Sequence, residues 1–183
     1  MIKRILLALA ALLVIAYIGF WVTAPSAIDA SQYQNLVDNY QVRIIRDKFG
    51  VPHIYGERDV DAAFGLAYAH AQDDFATMQD VLLVTRGKLA TLHGTDSVTT
   101  DYLVQFMGVW DVVNAGYDTR ISQQTRDHAE AYADGVNYYA SQNPGSYAAG
   151  LLPVTGKDIV AGFTFKTPLF YGFDQAVAAV VAG

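Results

Sequence analysis

The sequence contains no cysteine. Disulfide bonds, a thiolate nucleophile and thiolate metal ligands are therefore excluded from this chain, as is a lipid anchor that requires an N-terminal cysteine. The chain also has no run of lysine and arginine, and its net charge is -6. Because it lacks the basic surface that binds a phosphate backbone, we exclude nucleic acid as a partner.

Two catalytic motifs are also missing. The four histidines, at positions 53, 70, 93 and 128, do not form the H-x-x-x-H pair of a zinc site. No Gly-x-Ser-x-Gly occurs, so an α/β-hydrolase nucleophile elbow has no support. We therefore expect neither a metal site nor a cofactor in this chain.

The N-terminus carries a long apolar segment. Lys3 and Arg4 precede an uninterrupted apolar run over residues 5–22, which is the pattern of a targeting segment. The run exceeds a usual signal-peptide core and just reaches the length that spans a bilayer. Residues 1–27 are thus predicted to be either a cleaved signal peptide or a membrane anchor. Either way we expect residues 28–183 to be exported, as a periplasmic or secreted domain or one anchored in the inner membrane.

A β-hairpin is predicted over residues 42–56. Tyr40, Val42 and Ile44 alternate with polar or outward positions, which is the period of a half-buried strand. Residues 47–50 supply the turn, where Gly50 can adopt a positive φ. Pro52 comes early in the second strand, where a missing backbone donor is tolerated.

A long helix is predicted to follow the hairpin. Asp59 is its expected N-cap, and Arg86-Gly87 its expected end. The apolar residues between them recur at steps of 3 and 4, so they share one face of a helix. These residues are Val60, Phe64, Ala67, Ala71, Phe75, Met78 and Leu82.

Three more helices are predicted. They cover about residues 99–116, about residues 121–141, and a stretch from about 155–158 towards the end of the chain. The first is expected to bury a stripe that includes Tyr102 and Phe106, and the last to kink at Pro168. Residues 28–39 are expected to be a linker or a short helix. The fold class is therefore α+β, mostly helical, with one N-terminal β-hairpin.

Several linked motifs resemble one protein family. In chain order these motifs are residues 46–55 (RDKFGVPHIY), 64–73 (FGLAYAHAQD), 86–90 (RGKLA), 132–137 (YADGVN), 152–153 (LP) and 157–160 (KDIV). With these motifs the sequence resembles the start of the α subunit of penicillin acylases and acyl-homoserine-lactone acylases, which are N-terminal-nucleophile hydrolases. The resemblance covers about residues 40–183.

The resemblance implies an enzyme of which this chain is one part. The family fold is an αββα sandwich, and residues 28–183 would be the α-subunit part of the precursor. The nucleophilic serine would be the first residue of a β subunit that this chain does not include. Hence no catalytic residue is assigned here, the β subunit is the expected partner, and the chain alone is expected to be inactive. The implied substrates are small N-acyl amides, either β-lactam side chains or acyl-homoserine lactones.

The last predicted helix is the best candidate for a binding function in this chain. In the resembled family this helix lines the acyl pocket, which implies substrate-binding roles for Thr167, Leu169, Phe170 and Tyr171. The penicillin acylases also carry a calcium-binding glutamate shortly after this helix. Val177 occupies the matching position and cannot bind calcium, and the nearby Asp174 is not assigned.

Other positions differ from the family or allow a second interpretation. The family commonly has Glu-Asp-Arg where this chain has residues 72–74, Gln-Asp-Asp, so an ion pair of that arginine is in doubt. His53 is expected to make a hydrogen bond beneath the sheet. Gly145-Ser146 could be a self-cleavage site, but an ordinary turn is favoured because too little chain follows it to build a catalytic sheet.

A different class of function remains open at this stage. The chain could instead be a membrane-tethered helical binding module, or a non-catalytic relic of an acylase that keeps the motifs for packing only.

If a β subunit normally covers this chain, the isolated chain should expose a large apolar surface. We expect it to bind a hydrophobic dye strongly or to aggregate, which dye fluorescence and light scattering measure. A soluble monomer that does not bind the dye would contradict this expectation.

Overall fold

The computed structural model describes residues 11–14, 17, 29–173, 175, 176 and 179. Most of the predicted leader lies outside these residues, as do Asp174 and Val177. None of the helices in the described part of the chain combines the length and the hydropathy that a membrane crossing requires. The described chain is mostly helical with a single two-stranded antiparallel sheet, which confirms the predicted content.

The hairpin consists of β1 (Val42–Arg46) and β2 (Pro52–Gly56), with Ile44 opposite Ile54. The alternating residues of one face are half-buried and the others are exposed, as the period of 2 predicts. In the turn, the Asp47 carboxylate accepts hydrogen bonds from the backbone N–H of Phe49 at 2.8 Å and of Val51 at 3.0 Å.

His53 does not lie beneath the sheet, so that expectation was wrong. Its side chain is half exposed, and its Nε2 lies 3.3 Å from the Asp47 carboxylate in the turn. Because His53 lies on the strand face that alternation turns away from the helices, its partner is the turn and not the core.

The predicted long helix, α1 (Asp59–Thr85), is confirmed, but its start and its course differ slightly from the prediction. It begins one residue earlier than predicted, because Arg58 is the cap and its N–H donates to the Asp61 carboxylate at 2.9 Å. It is also kinked at Asp74, whose backbone is non-helical. The Asp74 carboxylate accepts from the N–H of Thr77 at 3.1 Å, which caps the second half of the helix. The end at Arg86 is as predicted.

The prediction of a single helix over residues 99–116 is wrong. The chain instead forms α2 (Ala90–His93), a 3-10 turn (Gly94–Ser97), α3 (Val98–Phe106) and α4 (Val109–Arg120). Gly108 lies between α3 and α4 with φ +62°, a left-handed conformation that ends the helical pattern. The break changes which side chains face inward. Tyr102 and Phe106 are both 66% exposed, whereas Val104, Val109 and Val113 are buried.

The last two helices are α5 (Gln123–Gln142) and α6 (Gly156–Phe170). The Ser122 hydroxyl caps α5 by accepting from the N–H of Thr125 at 3.1 Å. Helix α6 stays helical through Pro168 and ends at Phe170, and the following break is at Gly172, with φ +81°. The helix therefore continues past Pro168 and breaks four residues later, and the kink at Pro168 stays a prediction.

The core forms around α1. Small side chains on α1 pack against small side chains on α5, which lets the two helices approach closely; Ala67 and Ala71 meet Ala133, Val136 and Ala140. A 3-10 helix (Ala30–Asn39) covers this cluster, in agreement with the linker or short helix expected there. A second cluster joins α3 and α4 to α6 through Val104, Val109, Val113, Ala161 and Phe165.

Gly135 is a point of close approach between α1 and α5. A Cβ at this position would overlap the Phe64 carbonyl oxygen and lie 2.8 Å from the Ala67 Cβ. Because both neighbours belong to a packed helix, we expect Gly135→Ala to lower the free energy of unfolding by about 1–3 kcal/mol.

The matched control is Gly162→Ala in α6, where a Cβ would find its nearest neighbour at 3.9 Å. There the higher helix propensity of alanine should raise stability by roughly 0.5–1 kcal/mol. Urea unfolding followed by circular dichroism measures both changes, and equal effects of the two substitutions would contradict the close-approach account.

Candidate functional site

Arg86 connects the end of α1 to the start of α6. Its Nε lies 2.6 Å from the Asp158 Oδ1 and its Nη2 lies 2.9 Å from Oδ2, so the pair is bidentate. The Asp158 side chain is 3% exposed and lies in the first turn of α6. A buried carboxylate needs such a partner, because an unpaired charge there would be strongly destabilising.

The same guanidinium also binds the backbone before α6. It donates to the carbonyl oxygens of Gly150 at 2.9 Å, Leu151 at 2.6 Å and Pro153 at 2.8 Å. The five hydrogen bonds match the five N–H donors of an arginine. Arg86 therefore fixes the loop that leads into α6 as well as the helix itself.

Two amides hold the rest of this loop. Gln79 of α1 donates to the Ser146 carbonyl and accepts from the Ala148 N–H at 2.6 Å. Asn137 of α5 bonds both backbone groups of Val154, at 2.7 and 2.9 Å. Within the loop, the Ser146 N–H donates to the Asn143 carbonyl at 3.1 Å, so Gly145-Ser146 lies in a turn, the arrangement favoured from the sequence.

A second carboxylate fixes the N-terminus of α6. Glu130 accepts from the Tyr117 hydroxyl at 2.6 Å and from the Gly156 N–H at 2.8 Å. Burial, and then the hydrogen bond to Glu130, raise the pKa of Tyr117 above its ordinary value. Two carboxylates, Glu130 and Asp158, thus lie at the positive end of the helix dipole.

The four side chains expected to bind substrate lie at the opposite end of α6. The Thr167 hydroxyl donates to the Phe163 carbonyl at 2.7 Å within the helix. Leu169 is half-buried against the second core cluster. Phe170 and Tyr171 are 84% and 87% exposed, so two adjacent aromatic rings project from the described chain.

An apolar groove of about 550 Å³ lies beside α6 and was not predicted from the sequence. Both halves of the kinked α1, the start of α5 and the middle of α6 form its walls. Its nonpolar wall residues include Leu66, Met78, Val81, Val160, Gly162 and Phe163. Its polar wall residues include His70, His128, Asp158 and Lys166.

Three polar residues of this groove already have partners within the chain. His70 Nδ1 lies 2.7 Å from the Tyr132 hydroxyl, and His128 Nδ1 lies 2.6 Å from the Gln124 carbonyl oxygen. Asp158 is held by Arg86 as described above. Among the described residues, no group of three or more acidic or histidine side chains is placed to hold a metal ion.

The segment that departs from the family pattern has its own ion pair. Arg46 of β1 lies 2.7 Å from the Asp73 carboxylate and 3.3 Å from the Gln72 side-chain oxygen. The hairpin is thereby attached to α1 just before the kink, with Asp73 as the partner of a hairpin arginine.

The fold and the sequence together place the chain in a known class. Residues 41–168 match the family model described as penicillin amidase. The chain belongs to the penicillin amidase family.

Two similar proteins are named for different acylase activities. The chain is 32% identical over 112 residues to penicillin acylase 2 proenzyme of Pseudomonas sp. strain SE83, which covers 61% of this chain and 14% of that protein. It is 30% identical over 107 residues to acyl-homoserine lactone acylase PvdQ of Pseudomonas fluorescens strain Pf0-1, covering 54% and 14%. The chain thus spans about one seventh of the length of these curated relatives.

A solved structure has a similar fold. A thermostable penicillin G acylase from Alcaligenes faecalis aligns with a TM-score of 0.54 and 23% identity, over 69% of this chain and 72% of that chain.

Because Arg86 neutralises a buried carboxylate, we expect Arg86→Met to lower the free energy of unfolding by about 3–5 kcal/mol. Chemical denaturation measures this loss, and hydrogen exchange should show the amides of α6 losing protection first.

Arg120→Met is the matched control, since Arg120 is exposed at the end of α4. It should change stability by less than about 0.5 kcal/mol. A similar small effect for Arg86→Met would show that the arginine does not hold α6.

Proposed function

We propose that this chain is the N-terminal, α-subunit part of an exported acylase that hydrolyses the linear amide bond of N-acyl substrates. The observation that carries the proposal is the family match over residues 41–168. Relatives named for penicillin and for acyl-homoserine lactones support an acylase activity at the level of the family.

In this proposal the bond-breaking groups lie on a β subunit from the same precursor. A serine at the start of that subunit attacks the amide carbonyl, and its own α-amino group accepts the hydroxyl proton. An α-amino group suits this role because its ordinary pKa of about 7.7–8.0 leaves much of it neutral near physiological pH. The tetrahedral oxyanion that this attack forms is stabilised by amide donors, also outside this chain. The carbon–nitrogen bond then breaks, the protonated α-amino group gives its proton to the leaving amine, and water hydrolyses the acyl-enzyme ester to release the acid and free the serine.

This chain contributes scaffold and one wall of the acyl pocket. Its helices and hairpin form part of an αββα sandwich, with most of the sheets supplied by the β subunit. Residues 28–183 are the domain that does this, and residues 1–27 direct its export. The chain alone then has no hydrolase activity.

The proposed wall is the C-terminal end of α6. Arg86, Asp158 and Glu130 fix the start of that helix through backbone and carboxylate contacts. A helix anchored at one end presents its other end in a defined position, which a binding pocket requires. Phe170 and Tyr171 offer two exposed rings there, and an acyl chain packed on them gains about 0.8 kcal/mol for each buried methylene.

Thr167 and Leu169 have narrower roles in the same wall. The Thr167 hydroxyl already donates to a helix carbonyl, so its methyl group is the part offered to an acyl chain. Leu169 packs against the second core cluster and so attaches this end of α6 to the core.

The first experiment produces the complete precursor that contains this chain and follows release of a primary amine from N-acyl amides. We expect amine release, and we expect it to disappear when the first serine of the β subunit is changed to alanine. Amine release that survives this change, or a complete protein without it, would overturn the proposed function.

A second experiment tests the wall. In the complete enzyme, Tyr171→Ala should lower kcat/KM for long acyl chains by about 10–200-fold, since it removes apolar contact from the pocket, and should affect short chains less. Tyr102→Ala is the matched control, because Tyr102 is also an exposed tyrosine but lies on α3. An equal effect of both changes would refute the assignment of Tyr171.

A further inference from the structure

The groove beside α6 has a charge pattern that differs from that of the whole chain. The chain carries a net charge of -6. Yet among the described residues the only carboxylate in the groove wall is Asp158, which Arg86 neutralises. The basic wall groups are His70, His128 and Lys166, and His128 Nε2 lies 3.9 Å from the Asp59 carboxylate just outside the wall.

Lys166 is the cation available to a ligand. Its side chain is exposed at the groove, and among the described residues no carboxylate pairs with it. It lies one turn beyond Gly162 and Phe163 on the same helix, so a group bound to its ammonium would have an apolar surface beside it.

The rest of the wall suits an extended aliphatic chain. Most of its surface is apolar, and aliphatic side chains such as Leu66, Met78, Val81 and Val160 contribute to it. Its volume of about 550 Å³ lies within the range of about 300–1,000 Å³ that small-molecule sites occupy. An apolar trough with a few polar groups, and a cation to orient the ligand, is the usual composition of such a site.

We propose that this groove binds a long-chain carboxylate, with its alkyl tail along α1 and α6 and its carboxylate on Lys166. The site is separate from the wall at Phe170 and Tyr171, neither of which lines the groove. The acid released by the proposed reaction belongs to this chemical class, but the inference uses only this chain and does not depend on catalysis.

Calorimetric titration of the whole protein that contains this chain with dodecanoate, below its micelle concentration, tests the proposal. We expect saturable binding, with affinity rising about fourfold for each added methylene across a series from octanoate to dodecanoate. Dodecyltrimethylammonium, which has the same tail and a cationic head, should bind at least tenfold more weakly.

Two variants, Lys166→Glu and Gly162→Leu, locate the site, and a third serves as the control. Lys166→Glu should weaken dodecanoate binding by about tenfold or more, because it replaces attraction by repulsion. Lys88→Glu, the same change at an exposed lysine outside the groove, should leave it unchanged. Gly162→Leu should block binding by filling the groove, and it should preserve the fold because a Cβ at Gly162 meets its nearest neighbour only at 3.9 Å.

The opposite results overturn the proposal. The proposal fails if Lys166→Glu or Gly162→Leu leaves the affinity for dodecanoate unchanged. It also fails if dodecyltrimethylammonium binds as tightly as dodecanoate, or if dodecanoate shows no saturable binding. The last result would point to a segment of polypeptide as the occupant of the groove. Each result is obtained without an activity assay, so it is independent of whether the complete protein is an acylase.

Discussion

The structure depends on one arginine that links three parts of the chain. Arg86 ends α1, neutralises the buried Asp158 in the first turn of α6, and binds three carbonyl oxygens of the loop between α5 and α6. Without it, the buried Asp158 carboxylate would lose its cation and keep only the hydrogen bonds from Thr155, and three carbonyl oxygens would lose a donor at the same time. The orientation of α6, and with it the position of any surface on α6, follows from this contact.

Close helix packing supplies the second constraint. Alanine and glycine line the contact between α1 and α5, so the two helices approach closely enough for Gly135 to touch the backbone of α1. The kink at Asp74 lets both halves of α1 contribute to one groove. As a result α1 is both the centre of the core and the floor of the candidate ligand site.

The elements that the sequence predicts well are those with an unbroken period. The hairpin, α1 and α5 have alternation or 3–4 spacing over their whole length, and all three are confirmed. The break at Gly108 and the kink at Asp74 are single-residue backbone changes within apolar patterns, so periodicity could not reveal them. The Arg86–Asp158 pair joins residues 72 positions apart, and only their place within the family motifs hints at it. The groove depends on how three helices meet, which no local pattern encodes.

Taken together, these constraints describe a helical scaffold that holds α6 by its first turn and presents two aromatic rings at its last. The most direct test is a crystal structure of the complete enzyme with an unreactive N-acyl amide bound. The account predicts acyl carbons within about 4 Å of the Phe170 and Tyr171 side chains. An acyl chain bound elsewhere, with both rings covered by the β subunit, would contradict it.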